Sequence, residues 1–267
     1  MIRILNLALF LLLVVFTTEA AYSAASEWQD LGGGKARLLT VLDPTSGKVR
    51  AAVEVKLEPG WTTYWRYPGS SGIPPVFDFS GSNGFQADKV AFPAPELLGN
   101  GQLKYAGYKK SVTFPVDGKV FPGINAEINL ELLIGVCAEI CIPAQAKMKI
   151  TSDELEQSDP LANQIILLAK KAVPEPTDPD DVLISTSVRN DGNLMILIHN
   201  KVEGGIPELF VEGPADWYLQ PAKLVSQGNN KSLFALNVSN APEGSDILAE
   251  KLVYTLVYGS DSVEFVR

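Results

Sequence analysis

The sequence predicts an all-β protein: two β domains joined by a short helix and a proline-rich linker. Three observations carry this. Short apolar runs recur along the chain and are broken by Gly, Pro, Asn and Asp. Several of those runs alternate apolar and polar residues with period two, the mark of antiparallel strands in a sandwich or barrel. Only one segment, beginning at Asp159, repeats its apolar residues at helical spacing and is followed by a proline cluster.

The chain of 267 residues opens with Met1-Ile2-Arg3, an apolar run from Ile4 to Phe16, and then Ala20, Ala21, Ser23, Ala24 and Ala25. A charged start, a short hydrophobic segment and small residues at a cleavage region have the layout of a secretory signal peptide. The apolar run is shorter than the roughly 20 residues needed to span a bilayer. Residues 1–25 are therefore read as a signal peptide, with export to the periplasm and no stable membrane insertion after cleavage. Removing them deletes Arg3 and Glu19, so the net charge of −9 is unchanged. An acidic chain without a clustered Lys/Arg patch has no electrostatic reason to bind phosphate backbones, which argues against a nucleic-acid partner.

The first domain is expected over residues 26–158. Its strand candidates are Lys35–Leu42, Val49–Leu57, Ser111–Val116, Ala126–Ile134 and Ala146–Ile150, with one slip in the alternation at Ala51-Ala52. Gly32-Gly33-Gly34 lacks the strand–helix context of a phosphate loop and reads as a flexible mature N-terminus. Asp159-Pro160 reads as an N-cap with proline at the first helical position. Leu161, Ile165, Leu168 and Ala172 then form the expected apolar face, Lys170 and Lys171 suit the dipole at the C-terminal end, and Pro174 stops the helix. Residues 159–181 are thus a helix and a stiff linker. Strand signals return in a smaller second domain, 182–267, at Val182–Val188, Leu194–His199, Glu208–Val211, Ser232–Val238 and Lys251–Tyr258, with Asn190-Asp191-Gly192-Asn193 as a hairpin turn.

Chemistry concentrates at the only two cysteines, Cys137 and Cys141, in Gly135-Val136-Cys137-Ala138-Glu139-Ile140-Cys141-Ile142-Pro143. An even count in an exported protein favours a disulfide. A disulfide needs Cα atoms about 4.4–6.8 Å apart, so the chain must turn between the two residues. A loop this small constrains little of the unfolded chain, whereas a nearby second thiol is what thiol–disulfide exchange requires to resolve a mixed disulfide. Spacing alone leaves a redox-active pair and a small permanent disulfide pinning a turn both open. Glu139, if it faced the sulfurs, would oppose thiolate formation by charge repulsion. One histidine (His199) and two cysteines cannot build a structural zinc site from thiol and imidazole ligands alone, and His199 reads as structural rather than as part of a Ser/His/Asp arrangement. The aromatic residues Trp61, Tyr64, Trp65 and Tyr67 are candidates for shielding the sulfurs, and Pro68-Gly69-Ser70-Ser71-Gly72 reads as a turn.

The segment Gly60-Trp61-Thr62-Thr63-Tyr64-Trp65-Arg66-Tyr67-Pro68-Gly69-Ser70-Ser71-Gly72-Ile73-Pro74-Pro75, followed by Phe92-Pro93-Ala94-Pro95-Glu96, Gly107-Tyr108 and Val136 to Pro143, resembles the N-terminal domain of periplasmic DsbD/ScsB-type disulfide reductases over about Leu38 to Ile150. The resemblance implies an immunoglobulin-like sandwich and, for the second domain, a further one. It implies a redox-active Cys137/Cys141 pair working without a bound cofactor or metal, with Cys141 forming mixed disulfides and Cys137 resolving them. It also implies relay of electrons from a membrane-embedded donor to thioredoxin-like exported proteins. The stretch ending at Arg267 carries neither a multi-helix membrane domain nor a thioredoxin-like one, so either separate chains are expected to supply those parts or the domain serves another exchange partner. The competing reading is a non-catalytic immunoglobulin-like binding or chaperone module with a structural disulfide.

Overall fold

The computed structural model describes residues 25–69, 72–100, 104–157, 159–199, 205–214 and 216–267. The expected signal peptide lies, but for Ala25, outside the described residues, as do Ser70 and Ser71 of the expected turn and Ser158 at the expected domain edge. Already at Ala25 and Ser26 the chain is tied to the second strand. Ala25 bridges Leu39, and the Leu38 N–H donates to Ser26 Oγ at 2.9 Å.

The first part of the chain forms strands β1 (Gln29–Asp30), β2 (Gly34–Leu42), β3 (Lys48–Leu57), β4 (Thr62–Tyr64), β5 (Val76–Asp78), β6 (Phe85–Val90), β7 (Glu96–Leu98), β8 (Tyr105–Tyr108), β9 (Val112–Val120), β10 (Ile128–Cys137) and β11 (Cys141–Ile150). They make two sheets, β1-β2-β3-β9-β6 and β11-β10-β4-β8-β7, with β5 also on β10. Between them lies a core built on Leu38, Val53, Phe114, Ile128, Leu132 and Ile134. Every second residue of β3 (Val49, Ala51, Val53, Val55) enters this core, as a period-two strand with one buried face demands.

The slip at Ala51-Ala52 has a physical reason. The β2–β3 register runs unbroken through Thr40↔Ala51 and Leu39↔Ala52. Ala52 is buried because its face of the sheet is covered too, by helix α2 (Pro160–Lys171), which follows the short helix α1 (Ser152–Leu155). The Asp159 side chain caps α2 by accepting from the Leu161 N–H at 2.8 Å, with Pro160 in the first turn. The buried face is not the expected one, however. Ala162, Ile166 and Ala169 are buried, the first two in a cluster with Leu39 and Ala52, while Leu161 and Leu168 are 60% and 65% exposed. Small alanines let a helix lie close on a sheet, and that closeness outweighs the larger leucines' claim to the interior. The three-glycine segment also differs from expectation. Gly33 is buried where a methyl group would overlap the Trp61 ring, and Gly34 opens β2 opposite Leu57. These glycines are needed for close packing rather than for freedom.

The second part forms β12 (Glu175–Pro176), β13 (Leu183–Val188), β14 (Asn193–His199), β15 (Glu208–Glu212), β16 (Lys223–Gly228), β17 (Lys231–Asn237), β18 (Val253–Tyr258) and β19 (Asp261–Val266). Two sheets, β12-β19-β18-β15 and β13-β14-β17-β16, enclose a second core around Leu194, Ile196, Phe234 and Leu256. The protein is thus all-β, two immunoglobulin-like sandwiches with few helices. The proline-rich segment is not free of structure, since Glu175 and Pro176 pair in parallel with Val263 and Glu264. The β13–β14 hairpin turns at Gly192, with φ of +78°.

Candidate functional site

Cys137 ends β10 and Cys141 begins β11, and the two are the last opposed pair of the hairpin, with Cα atoms 4.0 Å apart. The exposed tip Ala138-Glu139-Ile140 supplies the turn that the spacing requires, and a disulfide joins the two cysteines. Glu139 sits on this tip in solvent. The two sulfur positions are unequal. Cys137 is only 5% exposed. Cys141 is exposed on the edge strand of its sheet and is flanked by Ile140 and Ile142, both exposed apolar side chains.

The neighbouring strand β4 pairs with the end of β10, Thr62 opposite Cys137 and Thr63 opposite Val136. Its side chains build the site's inner wall. Tyr64 places its hydroxyl 3.1 Å from the sulfur of Cys137 and 3.1 Å from that of Cys141. Sulfurs in a disulfide carry no hydrogen, so the tyrosine O–H is the donor. Desolvation, and then the nearby Tyr105, push the Tyr64 pKa above its ordinary value, so the donor proton is retained. The Tyr105 ring lies 5.1 Å from that of Tyr64. The Thr62 hydroxyl donates to the Cys137 carbonyl at 3.2 Å, which leaves it to accept from the Tyr105 hydroxyl at 2.9 Å. Thr63 Oγ1 donates to the Gly135 carbonyl at 2.7 Å.

Gly135 and Gly72 let this packing happen. A methyl at Gly135 would stand 2.8 Å from both the Tyr64 ring and Ile73, and one at Gly72 would meet Pro68 and Tyr64. The backbone around Gly72 and Ile73 therefore lies against the Tyr64 ring and Gly135.

Of the four aromatic candidates, the structure brings Tyr64 to the sulfurs. Trp61 packs over Gly33. Trp65 is buried with its ring edge-on to Phe210 of the second sandwich at 5.7 Å, and the Tyr67 hydroxyl accepts from the Leu219 N–H at 3.0 Å. Sequence reasoning missed Thr62, Tyr105 and Gly135. Thr62 lies inside the motif that was singled out, and Tyr105 lies two residues before the Gly107-Tyr108 landmark, but nothing in one sequence tells which strands become neighbours.

His199 is exposed at the end of β14 in the other sandwich. Among the described residues no group of three or more His, Cys, Asp or Glu side chains is placed to hold a metal ion, and no helix is long and apolar enough to cross a membrane.

Residues 35–153 match the family described as "Thiol:disulfide interchange protein DsbD, N-terminal". No curated protein sequence matches the chain. The structure is similar to the crystal structure of the N-terminal periplasmic domain of ScsB from Proteus mirabilis, with a TM-score of 0.74 and 20% identity, covering 92% of this chain and 98% of that one. At that identity the likeness speaks for the fold, and its coverage takes in both sandwiches.

Proposed function

From the match of residues 35–153 to the DsbD N-terminal family, we propose that the protein is a periplasmic thiol–disulfide interchange protein acting through Cys137 and Cys141. The observation that supports this best is the unequal burial of the pair. Exchange needs one sulfur that a partner can reach and a second, protected one that resolves the mixed disulfide. Cys141 has the first position and Cys137 the second.

In the reductive direction a donor thiolate attacks Cys141 Sγ. An S–S bond forms between donor and Cys141, the Cys137–Cys141 bond breaks, and the electron pair leaves on Cys137 Sγ. A thiolate in a buried position is costly unless it is hydrogen-bonded, and the Tyr64 hydroxyl lies 3.1 Å from that sulfur, within reach to donate to it. The donor's second thiolate then attacks its own mixed-disulfide sulfur and releases Cys141 as a thiolate. Delivery runs in the opposite sense. The Cys141 thiolate attacks an acceptor disulfide, whose S–S bond breaks and releases one acceptor thiolate. The Cys137 thiolate then attacks Cys141 Sγ, expelling the acceptor's other sulfur as a thiolate and restoring the Cys137–Cys141 bond. No bound cofactor enters either sequence. The apolar Ile140 and Ile142 beside Cys141 suit a protein partner, and we assign that place to thioredoxin-like exported proteins, with a membrane-embedded electron donor.

The reduction potential tests this reading. Structural disulfides lie below about −300 mV, whereas exchange-active ones are higher. Equilibration of the protein with graded dithiothreitol buffers, read by thiol alkylation, should give a value above that limit. A value well below it would favour a binding module with a structural disulfide.

A further inference from the structure

The segment that carries Tyr64 also carries the join between the two sandwiches. Trp65 meets Phe210, Tyr67 meets Leu219, and between them Arg66 reaches into the second sandwich. Its guanidinium donates from Nε to both Glu212 oxygens, at 3.1 and 2.9 Å. A second ion pair runs to Glu264, which itself accepts from Thr255 Oγ1 at 3.2 Å. Arg66 also lies over the Trp65 ring, 4.5 Å from its centroid. Burial works against the charged guanidinium, but the hydrogen bonds and charges of Glu212 and Glu264 outweigh it and hold its pKa above the ordinary arginine value. A planar fork gripped by two carboxylates fixes position and direction together, which a lone ammonium does not. Arg66 stands only two residues beyond the side chain that touches both sulfurs.

We propose that Arg66 is a positioning residue through which the second sandwich, by Glu212 and Glu264, holds Tyr64 against the Cys137–Cys141 sulfurs. The inference rests on the exchange reading given above only in that it assigns the second sandwich a part in that same site. The second sandwich then acts as a brace that keeps the hydrogen-bond donor ready for the departing Cys137 thiolate, rather than as a spectator.

The test uses the full mature chain and the rate at which dithiothreitol reduces the disulfide. Dithiothreitol attacks any accessible disulfide, so this readout does not depend on the physiological partner. Arg66→Gln should slow reduction about threefold. Arg66→Lys, which keeps the charge and loses the fork, should recover part of that loss. In a Tyr64→Phe background Arg66→Gln should add less than a further twofold, because the group it positions is already gone. Glu212→Gln and Glu264→Gln are gentler substitutions that should slow reduction in the same sense, and they serve if Arg66→Gln does not fold. An unchanged rate in a folded Arg66→Gln, or in both glutamine variants, would overturn the proposal. So would an effect of Arg66→Gln that is as large without the Tyr64 hydroxyl as with it. If the parent protein fails to exchange with any thioredoxin-like protein while the dithiothreitol series behaves as expected, the exchange reading falls and the positioning role stands.

Discussion

Replacing Tyr64 with Phe removes one oxygen atom and keeps the ring that packs on Tyr105, Gly72 and Gly135. The oxygen lies 3.1 Å from each sulfur. A hydrogen bond to a charged acceptor contributes about 1.5–3 kcal/mol, more than one to a neutral group. Donation to the neutral disulfide is therefore weak, and donation to the Cys137 thiolate formed on reduction is strong. With the charge about half developed on the leaving sulfur at the transition state, the loss is about 0.7–1.5 kcal/mol, or roughly a threefold to tenfold slower reduction. The thermal stability of the oxidised protein should change little. Because desolvation and Tyr105 raise the Tyr64 pKa, the hydroxyl stays protonated from neutral to moderately alkaline pH, and the ratio of parent to variant rates should stay level over that interval. The assay is reduction by excess dithiothreitol, quenched at intervals with an alkylating mass tag and resolved on a gel. A rate equal to or faster than the parent's, with melting unchanged, would refute the idea that this hydroxyl assists the departing thiolate.

Three further outcomes are expected. Reduction of the disulfide, or Cys137→Ser, should lower stability by only about 2 kcal/mol on the chain-entropy estimate for so short a loop, measured by urea titration; a much larger loss would mark the pair as a structural staple. Gly135→Ala drives a methyl to 2.8 Å from Tyr64 and Ile73, so it should cost about 1–3 kcal/mol by overpacking and slow reduction as well; an effect on melting alone would separate the packing from the chemistry. Glu208 sits half-buried where the sandwiches meet and accepts from the Leu97 N–H at 3.4 Å. Desolvation raises its pKa above the ordinary carboxylate value. The folded state thus binds its proton more tightly than the unfolded chain, and stability falls as pH rises through the carboxylate range. Glu208→Gln should gain less than about 1 kcal/mol at neutral pH after solvent screening, and that gain should vanish on acidification below the carboxylate range in melting curves.

Much of the fold was legible because its strands obey simple periodicity. The expected Val49–Leu57 and Leu194–His199 differ from β3 and β14 by a single residue at one end. The expected Ala146–Ile150 covered only half of β11, because Pro143 and the exposed Ile142 on an edge strand do not alternate as a half-buried strand should. The face of α2 was misjudged because side-chain size was read without the sheet beneath it. In the site, the cysteine spacing correctly demanded a turn. The inequality of the two sulfurs, the Tyr64 hydroxyl between them and the grip of Glu212 and Glu264 on Arg66 all depend on which distant segments become neighbours. Separations such as that between Arg66 and Glu264 leave no trace in local pattern.

The central claim is that a partner bonds to the exposed Cys141 and that the buried Cys137 releases it, and trapping tests it most directly. Cys137→Ser and Cys141→Ser are each incubated with an oxidised or mixed-redox periplasmic extract, and covalent adducts are separated under non-reducing conditions and identified by mass spectrometry. Cys137→Ser should accumulate a mixed disulfide through Cys141 to a thioredoxin-like protein, since no local thiol remains to resolve it, and Cys141→Ser should give little. Adducts from Cys141→Ser alone would reverse the two roles. No adducts from either variant, together with a large drop in melting temperature for both, would contradict the redox account itself.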